Sequence, residues 1–376
     1  MPGIYIHIPF CRQACTYCNF HFSTTLGQKR ALLDGLSKEI LLTRQNDPEQ
    51  GIIETIYVGG GTPSLLLAEE IEHLLQTLKQ HFEISPTAEI TLEANPDDVS
   101  EAVLQEWKRI GINRLSLGVQ SFHEDELRWM NRAHNSAQSI KSIEDIIAAG
   151  FSNFSVDLIY GSPLLSNEDF IRNIQIVLSN NIPHVSAYAL TVEPKTRLHS
   201  LINSKKTAPV DEARQAEQFD ILVKMLEDSG YEQYEISNFA KPGFRSRHNS
   251  RYWQGKAYYG FGPSAHSFDG KSTRRWNISN NALYIKSIEQ NNIPFEEEIL
   301  TATQQLNEYI MISLRTAEGL DIKKVEREFG EKEVNGILEK SVKYLNNKKL
   351  ALVNNQLILT KEGRFFADGI AADLFE

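Results

Sequence analysis

Apolar residues recur along the first half of the chain in short runs, separated by longer amphipathic stretches. The runs at 4–8, 55–58, 89–93, 114–118, 153–158 and 184–190 are rich in Ile, Val, Leu, Thr and Tyr, residues that suit a pleated, half-buried surface. The stretches at 30–42, 68–82, 99–110, 140–149 and 167–179 place apolar residues three and four apart, the spacing that gives a helix one oily face. Six strand-then-helix units in series, with nearly continuous apolar strands, predict a parallel sheet covered by helices. A full eightfold barrel needs about 250 residues, so six units in the first 190 or so predict an α/β fold of the incomplete (βα)6, TIM-like kind. A flat doubly wound sheet is the alternative.

Beyond that point the pattern changes. Polar runs at 193–209 and 238–251 predict loops around one more helix at 212–229. From about 300, amphipathic segments at 303–314, 322–329 and 334–346 precede two short strands, 350–353 and 356–359, which turn at Asn354-Asn355 before a last helix. That order predicts a helical, winged-helix-like module, and the chain divides into a barrel at 1–235, a connecting region at 236–299 and a C-terminal domain at 300–376. Winged helices commonly bind DNA, yet residues 301–376 hold 11 Lys or Arg against 12 Asp or Glu. Such a balance lacks the basic face that duplex binding needs, so a docking or capping module is expected.

Charge narrows the partners further. The 376 residues carry 39 Lys or Arg against 49 Asp or Glu, a net charge of -10 that repels phosphate backbones and argues against nucleic acid. No run approaches the roughly 18 apolar residues of a membrane span, and the N-terminus lacks the basic and apolar regions of a secretory signal, so a cytoplasmic protein is expected.

Only three cysteines occur, Cys11, Cys15 and Cys18, spaced C-x3-C-x2-C just after the first strand. An odd number within eight positions is no disulfide framework. Structural zinc, completed by His21 or His7, is one reading. Three inert loop cysteines are a second, and an iron-sulfur cluster is the third: a [4Fe-4S] centre normally takes four protein thiolates, so three leave one iron open. Gly59-Gly60-Gly61 after the second strand allows close backbone approach to a ligand. Glu93, Gln120 and Asp157 end the third, fourth and fifth strands, where parallel barrels carry their active sites, although each alone also reads as a cap or turn residue.

C-x3-C-x2-C with an aromatic before the third cysteine resembles the signature of the radical S-adenosylmethionine (SAM) superfamily. Tyr5-Ile6-His7-Ile8-Pro9-Phe10-Cys11 and Gly59-Gly60-Gly61-Thr62-Pro63-Ser64 narrow the resemblance to the family of oxygen-independent coproporphyrinogen III oxidase and the haem chaperone HemW, over nearly the whole chain. The resemblance implies a [4Fe-4S] cluster on the three cysteines and SAM chelating its open iron. It places SAM contacts at Tyr5, Tyr17, Gly60, Gly61, Thr62, Glu93, Gln120, Arg132, Asp157 and Ala189. The carboxylates suit ribose hydroxyls or the methionyl amine, and Arg132 suits the methionyl carboxylate. Taken without the resemblance, Arg132 reads equally as a surface ion-pair partner.

Two features separate the branches of the family. Oxidases carry a fourth cysteine where this chain has Phe20, and Arg247-His248-Asn249-Ser250-Arg251-Tyr252-Trp253 matches the HNxxYW motif associated with haem in HemW. The resemblance therefore implies a haem chaperone that passes haem to an acceptor protein, served by a low-potential electron donor such as a flavodoxin or ferredoxin. The alternative is radical oxidative decarboxylation of coproporphyrinogen III, so whether the chain is an enzyme stays open here. His248, Tyr252 and His266, the last in Gly260-Phe261-Gly262-Pro263-Ser264-Ala265-His266, are the haem-ligand candidates, with Arg245, Arg247 and Arg251 suited to propionates. Packing and turn roles would explain the same residues.

Overall fold

A computed structural model describes residues 2–46 and 51–376. Six parallel strands, β1 (Gly3–Ile8), β2 (Ile53–Gly60), β3 (Ile84–Ala94), β4 (Arg114–Gln120), β5 (Phe154–Tyr160) and β6 (His184–Ala189), lie side by side in chain order. Sequential order with no reversal is the barrel solution, because a doubly wound sheet needs a switch point where strand order turns back. The sheet stays open. β7 (Glu232–Glu235) and β8 (Asn238–Ala240) extend it antiparallel beyond β6. β9 (Tyr258–Phe261) pairs in parallel with β1, and β10 (His266–Phe268), β11 (Thr273–Asn277) and β12 (Phe295–Ile299) continue from it as an antiparallel meander.

Strand alternation sorts the side chains into two layers. Ile4, Ile6, Ile56, Val58, Leu92, Leu115, Leu117, Val156, Leu158 and Val185 join the buried core beneath the helices, including Lys29–Asn46, Ala68–His81 and Asn167–Ser179. The intervening positions are polar and meet inside the lumen: Tyr57 Oη donates to Glu93 Oε1 (2.8 Å), and the Ser116 and Ser155 hydroxyls lie 2.9 Å apart. A buried polar interior of this kind persists because its groups find partners across the barrel.

The C-terminal residues form their own core, with Leu306, Ile310, Leu320, Val325, Ile337 and Leu357 at its centre. Helices Ala302–Leu314, Ile322–Phe329 and Glu331–Asn346 pack on a small sheet in which β13 (Leu320–Asp321) and β14 (Leu350–Val353) flank β15 (Gln356–Leu359). This is the expected winged-helix order. The module is tied to the barrel by Ile236 N–H donating to Arg315 O (3.0 Å), Ala317 N–H to Tyr234 O (3.1 Å) and the Arg364–Glu227 ion pair (2.8 Å).

Both runs expected as loops contain structure. Residues 193–209 include helix Arg197–Asn203, capped by the Thr196 hydroxyl, and 238–251 include β8 and most of helix Arg247–Trp253, capped by Ser246. Polar composition concealed these elements because they are short and their caps are themselves loop-like residues. Among the described residues, no helix is long and apolar enough to cross a membrane.

Candidate functional site

At the C-terminal ends of the parallel strands lies a cavity of about 500 Å3, lined by all three cysteines and by all ten residues expected to contact SAM. The cysteine loop is pinned over it by backbone bonds. Cys11 N–H donates to Ser23 O (3.0 Å), Thr16 N–H to Met130 O (3.0 Å) and Leu198 N–H to Thr16 O (2.8 Å), while Asn131 Nδ2 donates to Ala14 O (2.7 Å). All three thiols are free and half-buried.

Arg132 reaches into this loop from the segment after β4. Its Nη1 lies 3.3 Å from Cys15 Sγ, and Nη2 donates to Asn95 Oδ1 and to Gly118 O, both at 2.7 Å. The guanidinium therefore sits inside the site, which disposes of the surface ion-pair reading. Burial pushes the Cys11 thiol up to about 11, partly opposed by its hydrogen bond with Thr62, and burial also raises Cys18. Such thiols stay protonated at neutral pH until a metal displaces the proton.

The triple glycine is dictated by crowding. A Cβ on Gly61 would lie 2.7 Å from Phe10 O and 3.0 Å from Cys11 Sγ, and Gly60 adopts φ 116° beneath the His7 ring. Gly61→Ala is accordingly expected to push the cysteine loop outward. Iron retained after anaerobic reconstitution should fall to less than about a third of wild type, with circular dichroism unchanged, since the displacement is confined to a surface loop. Full iron loading of the variant would show that the loop yields at no cost.

The carboxylates are held inside the mouth. Glu93 accepts from Tyr57 Oη (2.8 Å) and from Gly60 N–H (3.0 Å), and burial lifts its pKa to about 7. Asp157 stands 3.3 Å from Ser116 Oγ, with burial lifting it to about 6. Gln120 adopts φ 68° at the end of β4, which turns it into the cavity rim. Sequence reading missed Asn95, Ser116 and Tyr188, which also line the cavity. The signal was present: polar residues at every second position of apolar strands mark an inward polar face.

The donor set fits an iron-sulfur cluster with SAM better than it fits zinc. Both histidines proposed as a fourth zinc ligand are engaged elsewhere: His7 Nε2 bonds the His21 carbonyl (2.9 Å), and His21 Nε2 bonds Asn281 Oδ1 (2.8 Å). Three thiols with no fourth side chain, facing a cavity rimmed by paired carboxylates and a guanidinium, suit a cluster whose last iron takes a small zwitterionic ligand.

The haem-ligand candidates lie outside this cavity. His248 is 2% exposed at the opposite, N-terminal end of the strands, where Nδ1 meets Thr55 Oγ1, Nε2 meets Tyr252 Oη, each at 2.9 Å, and its ring stacks on Tyr57. His266, at the start of β10, is exposed. The arginines suited to propionates are committed to the protein: Arg245 to Glu232 and Glu318, Arg251 to Glu54 (2.6 Å), and Arg247 to Thr87 O (2.7 Å).

Residues 5–177 match the model of the radical SAM superfamily, and residues 300–366 match that of the HemN C-terminal domain. The heme chaperone HemW of Bacillus subtilis is 33% identical over 98% of both chains. That of Escherichia coli is 34% identical over 70% of this chain and 69% of its own. Among solved structures, coproporphyrinogen III oxidase (HemN) from Escherichia coli superposes with a TM-score of 0.86 at 23% identity, covering 100% of this chain and 90% of that one, a likeness of fold.

Proposed function

Because the chain belongs to the HemW family within the radical SAM superfamily, we propose that it binds haem and delivers it to an acceptor protein, using a [4Fe-4S] cluster and SAM at the barrel mouth. The observation that carries this reading is the end-to-end relation to proteins named heme chaperones. Phe20 agrees with it, since the side chain standing where oxidases carry a fourth cysteine is 69% exposed.

The cluster, when bound, supplies an open iron and a reducible centre for SAM. Cys11, Cys15 and Cys18 hold it as thiolates. Glu93 and Asp157 accept from the ribose hydroxyls or the methionyl amine, and Arg132 holds the methionyl carboxylate once Cys15 is committed to iron. Tyr5, Tyr17, Gly60, Gly61, Thr62, Gln120 and Ala189 complete the SAM walls. Within the working division at 235/236 and 299/300, the C-terminal module is the surface for the acceptor, and a flavodoxin or ferredoxin in the cytoplasm is the source of low-potential electrons.

The test is a hemin titration of the anaerobically reconstituted protein, followed by mixing with an apo-haemoprotein. A saturable Soret shift and transfer of haem to the acceptor are expected. Protoporphyrinogen IX formed in excess over protein from coproporphyrinogen III, SAM and dithionite would overturn the chaperone reading in favour of the oxidase.

A further inference from the structure

An axial ligand must place a bare nitrogen or oxygen against iron at the centre of a flat macrocycle, so accessibility separates the three candidates. Both His248 nitrogens are bonded inside the barrel floor, and the Tyr252 hydroxyl is one of their partners. His266 differs. Its imidazole is exposed and lies flat beside the Trp276 indole, with ring centroids 6.1 Å apart.

The backbone is built to present it. A Cβ on Gly260 would strike His266 O at 1.9 Å, and Gly262 and Ser264 turn the chain through φ 104° and 66°. Buried Glu39 fixes that turn by accepting from Gly262 N–H (2.8 Å) and Asn277 Nδ2 (2.6 Å). The turn is thus locked to helix Lys29–Asn46 while its last side chain is left in the open.

Register carries His266 onto a larger surface. It stands opposite Trp276, and Phe268 stands opposite both Arg274 and Tyr258, so these five share one face of β9–β11. Tyr258 in turn packs edge-on against Tyr252 (4.7 Å), which places that face on the lumen side of the open sheet. The outcome is an aromatic wall with one open imidazole, edged by Glu296, which accepts from Trp276 Nε1 (3.2 Å), and by the Arg274–Glu298 ion pair (3.6 Å).

We infer that haem docks on this wall with the His266 imidazole as its axial ligand, Trp276 and Phe268 flanking the macrocycle, and the His248–Tyr252 pair bounding the wall at its Tyr258 edge. The inference rests on the haem-chaperone reading and names the site within it. The G-x-G-x-x-A-H segment then serves to present a ligand, and HNxxYW acts as a positioning element. Packing of the exposed ring against Trp276 removes part of its water and, with nearby Arg274, lowers the basicity of His266 against the opposing pull of Glu298, keeping the neutral imidazole that binds metals.

Hemin titration of wild type, His266→Ala, His248→Gln and Tyr252→Phe decides the matter. His266→Ala should bind hemin at least about tenfold more weakly and lose the imidazole-ligated Soret position. Free imidazole added to that variant should restore the position and the amount of the hemin that stays with the protein on gel filtration, which a merely structural role for His266 would not allow. His248→Gln and Tyr252→Phe, checked for folding by circular dichroism, should bind more weakly and keep the wild-type spectrum. An unaltered spectrum in His266→Ala, or failure of imidazole to restore it, overturns the inference and leaves the chaperone reading standing. Absence of hemin binding by wild type sinks both.

Discussion

Cys15→Ser protein, reconstituted anaerobically, should fold and hold almost no cluster. Iron is expected to drop from about four atoms per chain to below about one, with loss of absorbance near 400 nm. The loop does not depend on this side chain for its path, because the bonds from Thr16 N–H to Met130 O and from Asn131 Nδ2 to Ala14 O survive the substitution. What is lost is a soft ligand. A serine hydroxyl keeps its proton at neutral pH and binds soft iron poorly, while the remaining two thiols cannot anchor three irons. The same chemistry requires loading of the wild type to release protons, since Cys11 titrates near 11 without metal, so reconstitution should accelerate between about pH 7 and pH 9. A Cys15→Ser protein that retains a full complement of iron would break the assignment of the three thiols.

Much of this site was legible because it is local. The cysteines lie within eight residues, and the glycine run and strand-end carboxylates follow apolar strands whose order in the sequence is their order in the sheet. A sequential parallel barrel converts position along the chain into position around the mouth, so Glu93, Gln120 and Asp157 converge without knowledge of any long-range contact.

What stayed hidden depends on register and on distant pairings. That His248 sits on the barrel floor follows from its bond to Thr55 Oγ1 and from Glu89 accepting its N–H (2.9 Å), contacts across 193 and 159 residues. The parallel pairing of β9 with β1 joins residues more than 250 positions apart, and no local pattern announces it. Composition made the HNxxYW segment resemble an open loop, whereas Ser246 caps it into a helix wedged against the lumen. Local propensity is a weak guide where tertiary contacts decide.

Glu93 and Asp157 lead to opposite pH trends for two measurable quantities. Ligand-free barrel should lose stability as pH rises from about 4 to about 7, while SAM should bind more tightly from about 6 to about 8. Burial raises Glu93 from 4.5 to about 7 and Asp157 from 3.8 to about 6. The folded state therefore keeps protons that the unfolded chain has already released, so their contribution is full below the unfolded values and is lost as pH climbs through the folded ones. SAM reverses the preference, because its sulfonium is a cation and its ribose hydroxyls are donors, and both favour the charged carboxylates. Binding must then expel a proton from each carboxylate still protonated, and affinity should rise by up to about tenfold per pH unit for one proton released. Calorimetry in two buffers of different ionisation enthalpy counts those protons directly. Glu93→Gln, a neutral replacement of the same shape, should weaken SAM binding, flatten its pH dependence and make the ligand-free protein more stable than wild type at pH 8. A SAM dissociation constant that stays level between pH 6 and 8 in wild type would remove these carboxylates from the SAM site, since buried acids with raised pKa values cannot accept a cationic ligand without yielding their protons.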